Sequence, residues 1–137
     1  MRTINKIILH CSATPPDMDI GVNEIRKWHL ERGWDDIGYH EVIRRDGTPE
    51  QGRDTRRVGA HCIGHNKDSI GICLVGGLDI EANPVPNYTE YQWRSLRRSV
   101  MFNKVLYPRA TVHGHNEFSH KSCPCFDVQD WIRSENL

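Results

Sequence analysis

The sequence lacks several features that would define its class at once. Among its 137 residues, Lys and Arg total 18 and Asp and Glu total 18, so the formal net charge is zero. This balance argues against a general polyanion-binding protein. No apolar run approaches the roughly 20 residues of a membrane span, and the N-terminal segment has no long hydrophobic signal core. We therefore expect no nucleic-acid partner, no membrane partner and cytoplasmic synthesis without a signal peptide.

Cysteine occurs in an odd number and without regular spacing. The five cysteines are Cys11, Cys62, Cys73, Cys123 and Cys125. This pattern favours reduced thiols over a disulfide framework, and a chain of this length buries roughly two-thirds of its unfolded surface without covalent help. We interpret Cys11, Cys62 and Cys73 as small buried residues. The length fits one domain, and no repeat or linker divides residues 1–137.

Hydrophobic periodicity predicts alternating strands and helices, and hence an α/β protein in which helices pack on a sheet. Strands are predicted over 6–10, 41–44, 48–52, 70–75 and 111–113. Helices are predicted over 23–32, over 89–107 and after Asp127, a predicted N-cap. The nearly continuous apolar run at 70–75 is typical of a central strand that is covered on both faces.

Eight histidines supply metal ligands and acid–base groups. His10 closes the first apolar strand, whereas His115 and Cys123 lie more than 100 residues later. Three ligands from distant segments, with a fourth position open for water, are typical of a catalytic zinc site rather than a compact zinc finger. Pro124 favours an extended backbone at Cys123, so Lys121 and Cys123 are expected to share a face. Lys121 would then stabilise an oxyanion beside the metal.

The residue pattern leaves alternatives open. His113 and His115 are two apart, so spacing does not decide which of them binds metal. Cys123-Pro124-Cys125 would suit half of a structural zinc site, but no second cysteine pair completes one. An isolated histidine, cysteine or lysine is more often a structural or solvated residue. Residue types and spacing alone therefore favour an enzyme and a non-catalytic protein about equally.

Longer motifs carry more information. They are Ile8-Leu9-His10-Cys11-Ser12-Ala13-Thr14, Ile25-Arg26-Lys27-Trp28-His29, Gly33-Trp34, Gly38-Tyr39-His40, Arg45-Asp46-Gly47, Gly52-Arg53-Asp54, Gly59-Ala60-His61, Asn66 to Gly77, and Lys121-Ser122-Cys123-Pro124 with Phe126-Asp127. In this order, over nearly the whole chain, they resemble the zinc-dependent N-acetylmuramoyl-L-alanine amidases of the phage T7 lysozyme type (the amidase type 2 family). The resemblance implies a mixed central β-sheet flanked by helices, the fold of peptidoglycan recognition proteins, and one catalytic domain over 1–137.

The resemblance also implies roles for individual residues. His10, His115 and Cys123 match the family's zinc ligands, and His115 is identified by its position eight residues before the cysteine (123 − 115 = 8). Tyr39 and Lys121 match the family's two catalytic residues. Zn²⁺ is the only cofactor implied.

The chain departs from the family pattern beside the second ligand. Where the phage T7 protein has two adjacent histidines, this chain has His115-Asn116, and His113 stands two residues before the ligand. No role is assigned to Asn116 or His113. Three further residues match family positions near the site and are candidate groove residues: His40, His61 and Asn66.

The implied reaction hydrolyses the amide that joins N-acetylmuramic acid to L-alanine of the peptidoglycan stem peptide. Lys121 would stabilise the oxyanion, and Tyr39 would hydrogen-bond either the oxyanion or the attacking water. Peptidoglycan or a muropeptide is the expected partner of a monomeric enzyme. The absence of a signal sequence suits a phage or prophage endolysin released to the wall through a holin-type route, and equally a cytoplasmic enzyme that recycles wall fragments.

Three other functions compete with this one. A non-catalytic peptidoglycan-binding protein would share the fold, but family members that only bind typically lose the ligand cysteine, and Cys123 is present. Regulation of a polymerase, the second function of the phage T7 protein, has no support in this sequence. A zinc nuclease built on residues 114–117 conflicts with the neutral charge and with the full-length resemblance.

Overall fold

A computed structural model describes residues 2–137 as strands alternating with helices. The strands are β1 (Lys6–Cys11), β2 (Glu41–Ile43), β3 (Pro49–Gln51), β4 (Ser69–Leu74) and β5 (Thr111–Gly114). The helices are α1 (Val22–Glu31), α2 (Glu90–Leu106) and α3 (Val128–Glu135), with a single 3-10 turn at His115–Glu117. The predicted α/β class is confirmed, and the predicted elements begin and end within one or two residues of those observed. Within residues 2–137, no helix is long and apolar enough to cross a bilayer.

The five strands form one mixed sheet in the order β3-β2-β4-β1-β5. Strands β2, β4, β1 and β5 are parallel, and β3 pairs antiparallel with β2 at one edge. All six residues of β4 are buried, as predicted for the apolar run at 70–75. Because the carboxyl ends of parallel strands meet at one edge of a sheet, the ends of β1 and β5 lie side by side, where α/β proteins usually bind ligands.

The two faces of the sheet are covered unequally. Ile7 and Leu9 of β1 belong to the larger core, which α2 and α3 cover with residues such as Leu96 and Val128. Since successive side chains of a strand point to opposite faces, His10 points to the other face. There α1 covers a smaller core that includes Cys73, the residue paired with His10 in the sheet. His10 therefore lies on the less covered face, at the end of a rigid central strand.

Local signals at the helix ends explain how the later segments reach the sheet edge. Thr89 accepts a hydrogen bond from the backbone N–H of Gln92, and the Gln92 side chain accepts one from the backbone N–H of Thr89, so α2 begins with a capping box. Asp127 accepts a hydrogen bond from the backbone N–H of Asp130 at 3.0 Å and caps α3, as predicted. Because α3 packs against β5, its cap anchors the far end of the loop after the 3-10 turn.

The cysteines are free thiols, in agreement with the prediction of a reduced chain. Cys11, Cys62 and Cys73 are buried, as expected for small apolar residues. Cys123 and Cys125 are half-buried.

Candidate metal centre

Three side chains from distant parts of the chain converge at the carboxyl edge of the sheet. His10 lies near the end of β1, His115 begins the 3-10 turn after β5, and Cys123 lies in the loop before α3. One nitrogen or sulfur atom from each residue lies within 4.8 Å of the other two. The fold thus brings together residues that stand up to 113 positions apart in the sequence.

The donor set fits a zinc ion. Imidazole nitrogen and thiolate sulfur are the ligands that tetrahedral zinc prefers, with bonds of about 2.0–2.1 Å and about 2.3 Å. Two such bonds at a tetrahedral angle separate nitrogen from sulfur by roughly 3.6 Å. The Nδ1 atom of His10 lies 3.8 Å from the Sγ atom of Cys123, close to that separation.

Both histidines are held in the neutral form that a metal ligand requires. Burial lowers the pKa of His10 well below its usual value, and the neighbouring His61, His115 and Lys121 lower it further. Burial, followed by the charge of Lys121, also lowers the pKa of His115. At neutral pH each imidazole therefore keeps a free lone pair.

The loop that carries Cys123 is a turn. The backbone N–H of Cys125 donates to the carbonyl of Ser122 at 2.6 Å, so the chain turns between Ser122 and Cys125. That Lys121 and Cys123 share a face of the backbone stays a prediction. The Sγ atom of Cys123 accepts a hydrogen bond from the backbone N–H of Cys11 at 3.1 Å. The neighbouring Cys11 thiol and burial nevertheless raise the pKa of the Cys123 thiol, so a bound metal ion would be needed to stabilise its thiolate form.

The structure separates His113 from His115. Strand β5 ends at Gly114, so the two-residue alternation does not continue to His115. The ring nitrogens of His113 lie 2.7 Å from the hydroxyl of Thr111 and 2.8 Å from the carboxylate of Glu117. With both nitrogens occupied, His113 lies outside the group of converging ligands.

Asn116 connects the two segments that carry the later ligands. Its backbone N–H donates to the carbonyl of Cys123 at 2.8 Å. Its side-chain amide donates to the carbonyl of Phe126 at 3.2 Å and lies 3.4 Å from the carbonyl of Ser122. Sequence reasoning assigned Asn116 no role, since its partners are backbone carbonyls that no residue pattern reveals.

The two residues expected to be catalytic lie beside the converging ligands. The ring centroid of Tyr39 is 5.1 Å from that of His10, and burial raises the pKa of the Tyr39 phenol well above its usual value. Tyr39 is therefore a hydrogen-bond donor at neutral pH. Lys121 is exposed and lines a cleft of about 400 Å³ together with His115 and His61. The rest of the lining consists of Arg32, Trp34, Ala60, Cys62, Ile63, Asn66, Phe118 and Ser119.

The three candidate groove residues differ in position. His61 and Asn66 line the cleft, and the Oδ1 atom of Asn66 accepts a hydrogen bond from the backbone N–H of His61 at 2.9 Å. His40 is 2 % exposed and is not among the residues that line this cleft. The Nδ1 atom of His40 accepts from the backbone N–H of Gly71, and its Nε2 atom lies 2.9 Å from the carbonyl of Arg57. Burial lowers the pKa of His40 to about 4, so it is a neutral structural group.

Comparisons with known proteins agree with this geometry. The family model for N-acetylmuramoyl-L-alanine amidase matches residues 1–126. The endolysin of Klebsiella phage KP32 is 48 % identical over 133 residues, which cover 97 % of this chain and 88 % of that protein. The endolysin of Escherichia phage T7 is 47 % identical over 136 residues, which cover 99 % of this chain and 90 % of that protein.

Solved structures show the same fold. The endolysin N-acetylmuramoyl-L-alanine amidase LysCS from Clostridium intestinale has a TM-score of 0.84 at 27 % identity, covering 99 % of this chain and 86 % of that one. The Drosophila peptidoglycan recognition protein PGRP-LB has a TM-score of 0.79 at 26 % identity, covering 98 % of this chain and 82 % of that one. The family match and the identity to phage endolysins extend over nearly the whole sequence, and the chain therefore belongs to the N-acetylmuramoyl-L-alanine amidase family.

Proposed function

We propose that this amidase hydrolyses the bond between N-acetylmuramic acid and L-alanine in bacterial peptidoglycan as a zinc-dependent endolysin, with one catalytic domain over 1–137. The observation that carries the proposal is the convergence of His10, His115 and Cys123 at the sheet edge, with Tyr39 and Lys121 beside them. The phage relatives, which are named endolysins, support action at the cell wall.

His10, His115 and Cys123 are the residues that would hold the zinc ion. When bound, the ion supplies Lewis acidity, which polarises a carbonyl and makes water a competent nucleophile near neutral pH. The two neutral imidazoles and the hydrogen-bonded sulfur provide the ligand atoms without a rearrangement of the sheet. A set of three protein ligands is typical of catalytic rather than structural zinc.

Lys121, which lines the cleft, and Tyr39, which lies beside His10, complete the chemistry. The ammonium group of Lys121 stabilises the negative charge that develops on the carbonyl oxygen of the scissile amide. The phenol of Tyr39, kept protonated by its raised pKa, donates a hydrogen bond either to that oxygen or to the attacking water. Both groups act on charge that forms during the reaction, so they contribute to kcat more than to substrate binding.

The cleft suits the stem peptide of the substrate. Its volume of about 400 Å³ is in the range of small-ligand sites. Trp34, Ile63 and Phe118 offer apolar contacts, whereas the cations Arg32 and Lys121 have no acidic residue beside them in the lining. A positive, partly apolar cleft favours a peptide that carries carboxylates.

The test is digestion of purified peptidoglycan by the enzyme as isolated, by the chelated enzyme and by the enzyme after zinc is restored. We expect new alanine amino termini without new reducing sugar ends, loss of the reaction on chelation and recovery with zinc. Cys123→Ser should abolish the reaction. Its matched control is Cys125→Ser, which changes a half-buried cysteine two residues away and outside the ligand group, and this variant should keep the activity.

Three outcomes would contradict the proposal. New reducing ends would indicate a glycosidase, and full activity in the chelated enzyme would exclude a metal-dependent reaction. Tight binding to peptidoglycan without release of alanine amino termini would indicate a recognition protein on the same fold.

A further inference from the structure

We propose that His61 and Ser69 form a hydrogen-bonded support behind His10 that selects the tautomer of His10 and holds its ring in the orientation for metal binding. The inference rests on the proposed zinc site but concerns residues that would not touch the ion. His61 is therefore a positioning residue for the reaction.

The support is a continuous line of short contacts that starts at the unused nitrogen of His10. The Nε2 atom of His10 lies 2.7 Å from the Nδ1 atom of His61. The Nε2 atom of His61 lies 3.1 Å from the hydroxyl oxygen of Ser69. All three residues are buried, with relative exposures of 1 %, 8 % and 0 %. Bulk water therefore does not compete for these hydrogen bonds.

The fold provides a specific space for the ring of His61. A side-chain carbon at Gly71 would lie 2.6–2.8 Å from three atoms of the His61 ring. A side-chain carbon at Gly59 would lie 2.8 Å from the Cδ2 atom of the same ring. Two glycines thus leave room for an imidazole against the sheet, beside the strand that carries His10.

The order of donors and acceptors follows from the position of His10. Its Nδ1 atom faces the sulfur of Cys123, so the lone pair for the ion is on Nδ1 and the proton of the neutral ring is on Nε2. That N–H donates to the Nδ1 atom of His61, which must then be unprotonated. The proton of the neutral His61 ring is consequently on Nε2 and is donated to the oxygen of Ser69. With a metal ion on the Nδ1 atom of His10, each ring therefore has one tautomer that satisfies every contact.

His40 shows what distinguishes this arrangement from an ordinary buried histidine. It lies next to His61, with ring centroids 5.8 Å apart, and it is equally enclosed. Its hydrogen bonds, however, include the backbone groups of Gly71 and Arg57, and its partners do not include a metal-site residue. His61 alone connects the histidine pair to the ligand.

Loss of such a support typically lowers metal affinity by about 10–100-fold, because the ligand ring is free to rotate or to change tautomer. His61→Leu removes the acceptor while keeping a side chain of similar bulk. His61→Asn places an amide oxygen two bonds from Cβ, where the Nδ1 atom of histidine would be, so it restores the acceptor. Ser69→Ala removes only the outer partner and should have a smaller effect.

The experiment measures the zinc dissociation constant of the apo-protein by competition with a chromophoric chelator, together with thermal unfolding of each variant. We expect His61→Leu to weaken zinc binding by about 10–100-fold and His61→Asn to remain within roughly threefold of the wild type. The matched control is His113→Leu, another histidine with both nitrogens hydrogen-bonded but outside the ligand group, and it should bind zinc like the wild type.

The tautomers provide a second test on the unmodified protein. Nitrogen-15 NMR of the zinc-loaded enzyme should show both His10 and His61 protonated on Nε2 and not on Nδ1. This measurement decides the question even if His61→Leu does not fold.

Several results would overturn the inference. They are unchanged zinc affinity in a folded His61→Leu variant, a loss in His61→Asn as large as in His61→Leu, or a His61 ring protonated on Nδ1. A wild-type protein that binds no zinc would overturn both this inference and the proposed function. Zinc-dependent amidase activity that survives in His61→Leu with unchanged affinity would overturn only this inference.

Discussion

The two parts of the candidate metal centre are built in different ways. His10 lies on β1, which pairs with β4 on one side and β5 on the other, and its exposed fraction is 1 %. His115 and Cys123 lie on a 3-10 turn and a loop, and both are only half-buried. The hydrogen bonds that hold the second part are local ones, such as those from Asn116 to the carbonyls of Cys123 and Phe126.

This difference shows how a metal site can combine one ligand in a fixed position, His10, with two ligands whose positions can adjust, His115 and Cys123. A central strand cannot shift without breaking two ladders of hydrogen bonds, so the position of His10 is set by the whole sheet. The loop can shift at the cost of a few hydrogen bonds, each contributing about 1 kcal/mol to stability. We therefore expect substitutions that leave the ligands intact to change zinc affinity in small steps on the loop side.

The largest expected effect removes a ligand from either part. His10→Ala and Cys123→Ala should each bind no stoichiometric zinc, and their activity on peptidoglycan should fall to that of the chelated enzyme, because two ligands do not form a stable zinc site. Zinc content by elemental analysis and release of alanine amino termini measure both properties. If either variant kept zinc and activity, that part of the centre would not be needed.

The next effect separates catalysis from metal binding. Lys121→Ala and Tyr39→Phe should keep zinc but lose roughly 10²–10³ in kcat, since loss of an oxyanion donor has this effect in other hydrolases. Steady-state kinetics on a soluble muropeptide and zinc analysis of the same samples test the prediction. A variant that turns over substrate near the wild-type rate would exclude its residue from the mechanism.

A third effect concerns the stability of the fold in acid. Burial lowers the pKa of His29 and of His40 to about 4, whereas the unfolded chain titrates near 6.5. The unfolded state therefore binds more protons below pH 6.5, and stability is lost as the pH falls from about 6.5 towards 4. For His40 the loss between pH 6.5 and pH 5 should reach about 1.5 kcal/mol.

Denaturant unfolding of the chelated protein at several pH values measures this loss. In the wild type, the backbone N–H of Gly38 donates to the Nδ1 atom of His29. His29→Asn keeps an acceptor for this N–H but removes the titrating group. The variant should therefore show a flatter dependence on pH. An unchanged slope would mean that His29 does not contribute to acid sensitivity.

The smallest expected effect concerns His115 and Cys123, the candidate ligands that lie on a turn and a loop. Asn116→Ala removes the side-chain hydrogen bonds that hold the 3-10 turn against the Cys123 loop, and it should weaken zinc binding by roughly fivefold, or about 1 kcal/mol. Asn83→Ala is the matched control, because Asn83 is an exposed asparagine that hydrogen-bonds Asp79 in another loop and is not one of the converging ligands. Equal zinc affinities in the two variants would show that the loop is positioned without Asn116.

Much of the fold could be predicted because its signals are local. The apolar run of β4, the capping box at Thr89 and the cap at Asp127 all depend on neighbouring residues, and each lies where it was expected. The turn from Ser122 to Cys125 was not predicted, because the hydrogen bond that closes it joins two backbone groups, which no residue pattern reveals.

The candidate site, too, was predicted only in part: its residues were named, but the contacts between them were not. The resemblance pointed to His10, His115, Cys123, Tyr39 and Lys121, and the structure shows these residues close together. Neither spacing nor resemblance pointed to the contact between His10 and His61, which joins residues 51 positions apart. The hydrogen bonds of Asn116 could not be predicted either, because their acceptors are backbone carbonyls, which every residue has.

By itself, the sequence determined the order of strands and helices and the family, and it pointed to the candidate ligands and catalytic groups, because periodicity, caps and motifs are properties of short segments. Only the tertiary structure showed that His10, His115 and Cys123 converge while His113 lies apart, that His61 contacts His10, and that one candidate ligand lies on a strand and the other two on a turn and a loop. These are contacts between distant segments, and their geometry depends on how the sheet, its helices and its loops pack together.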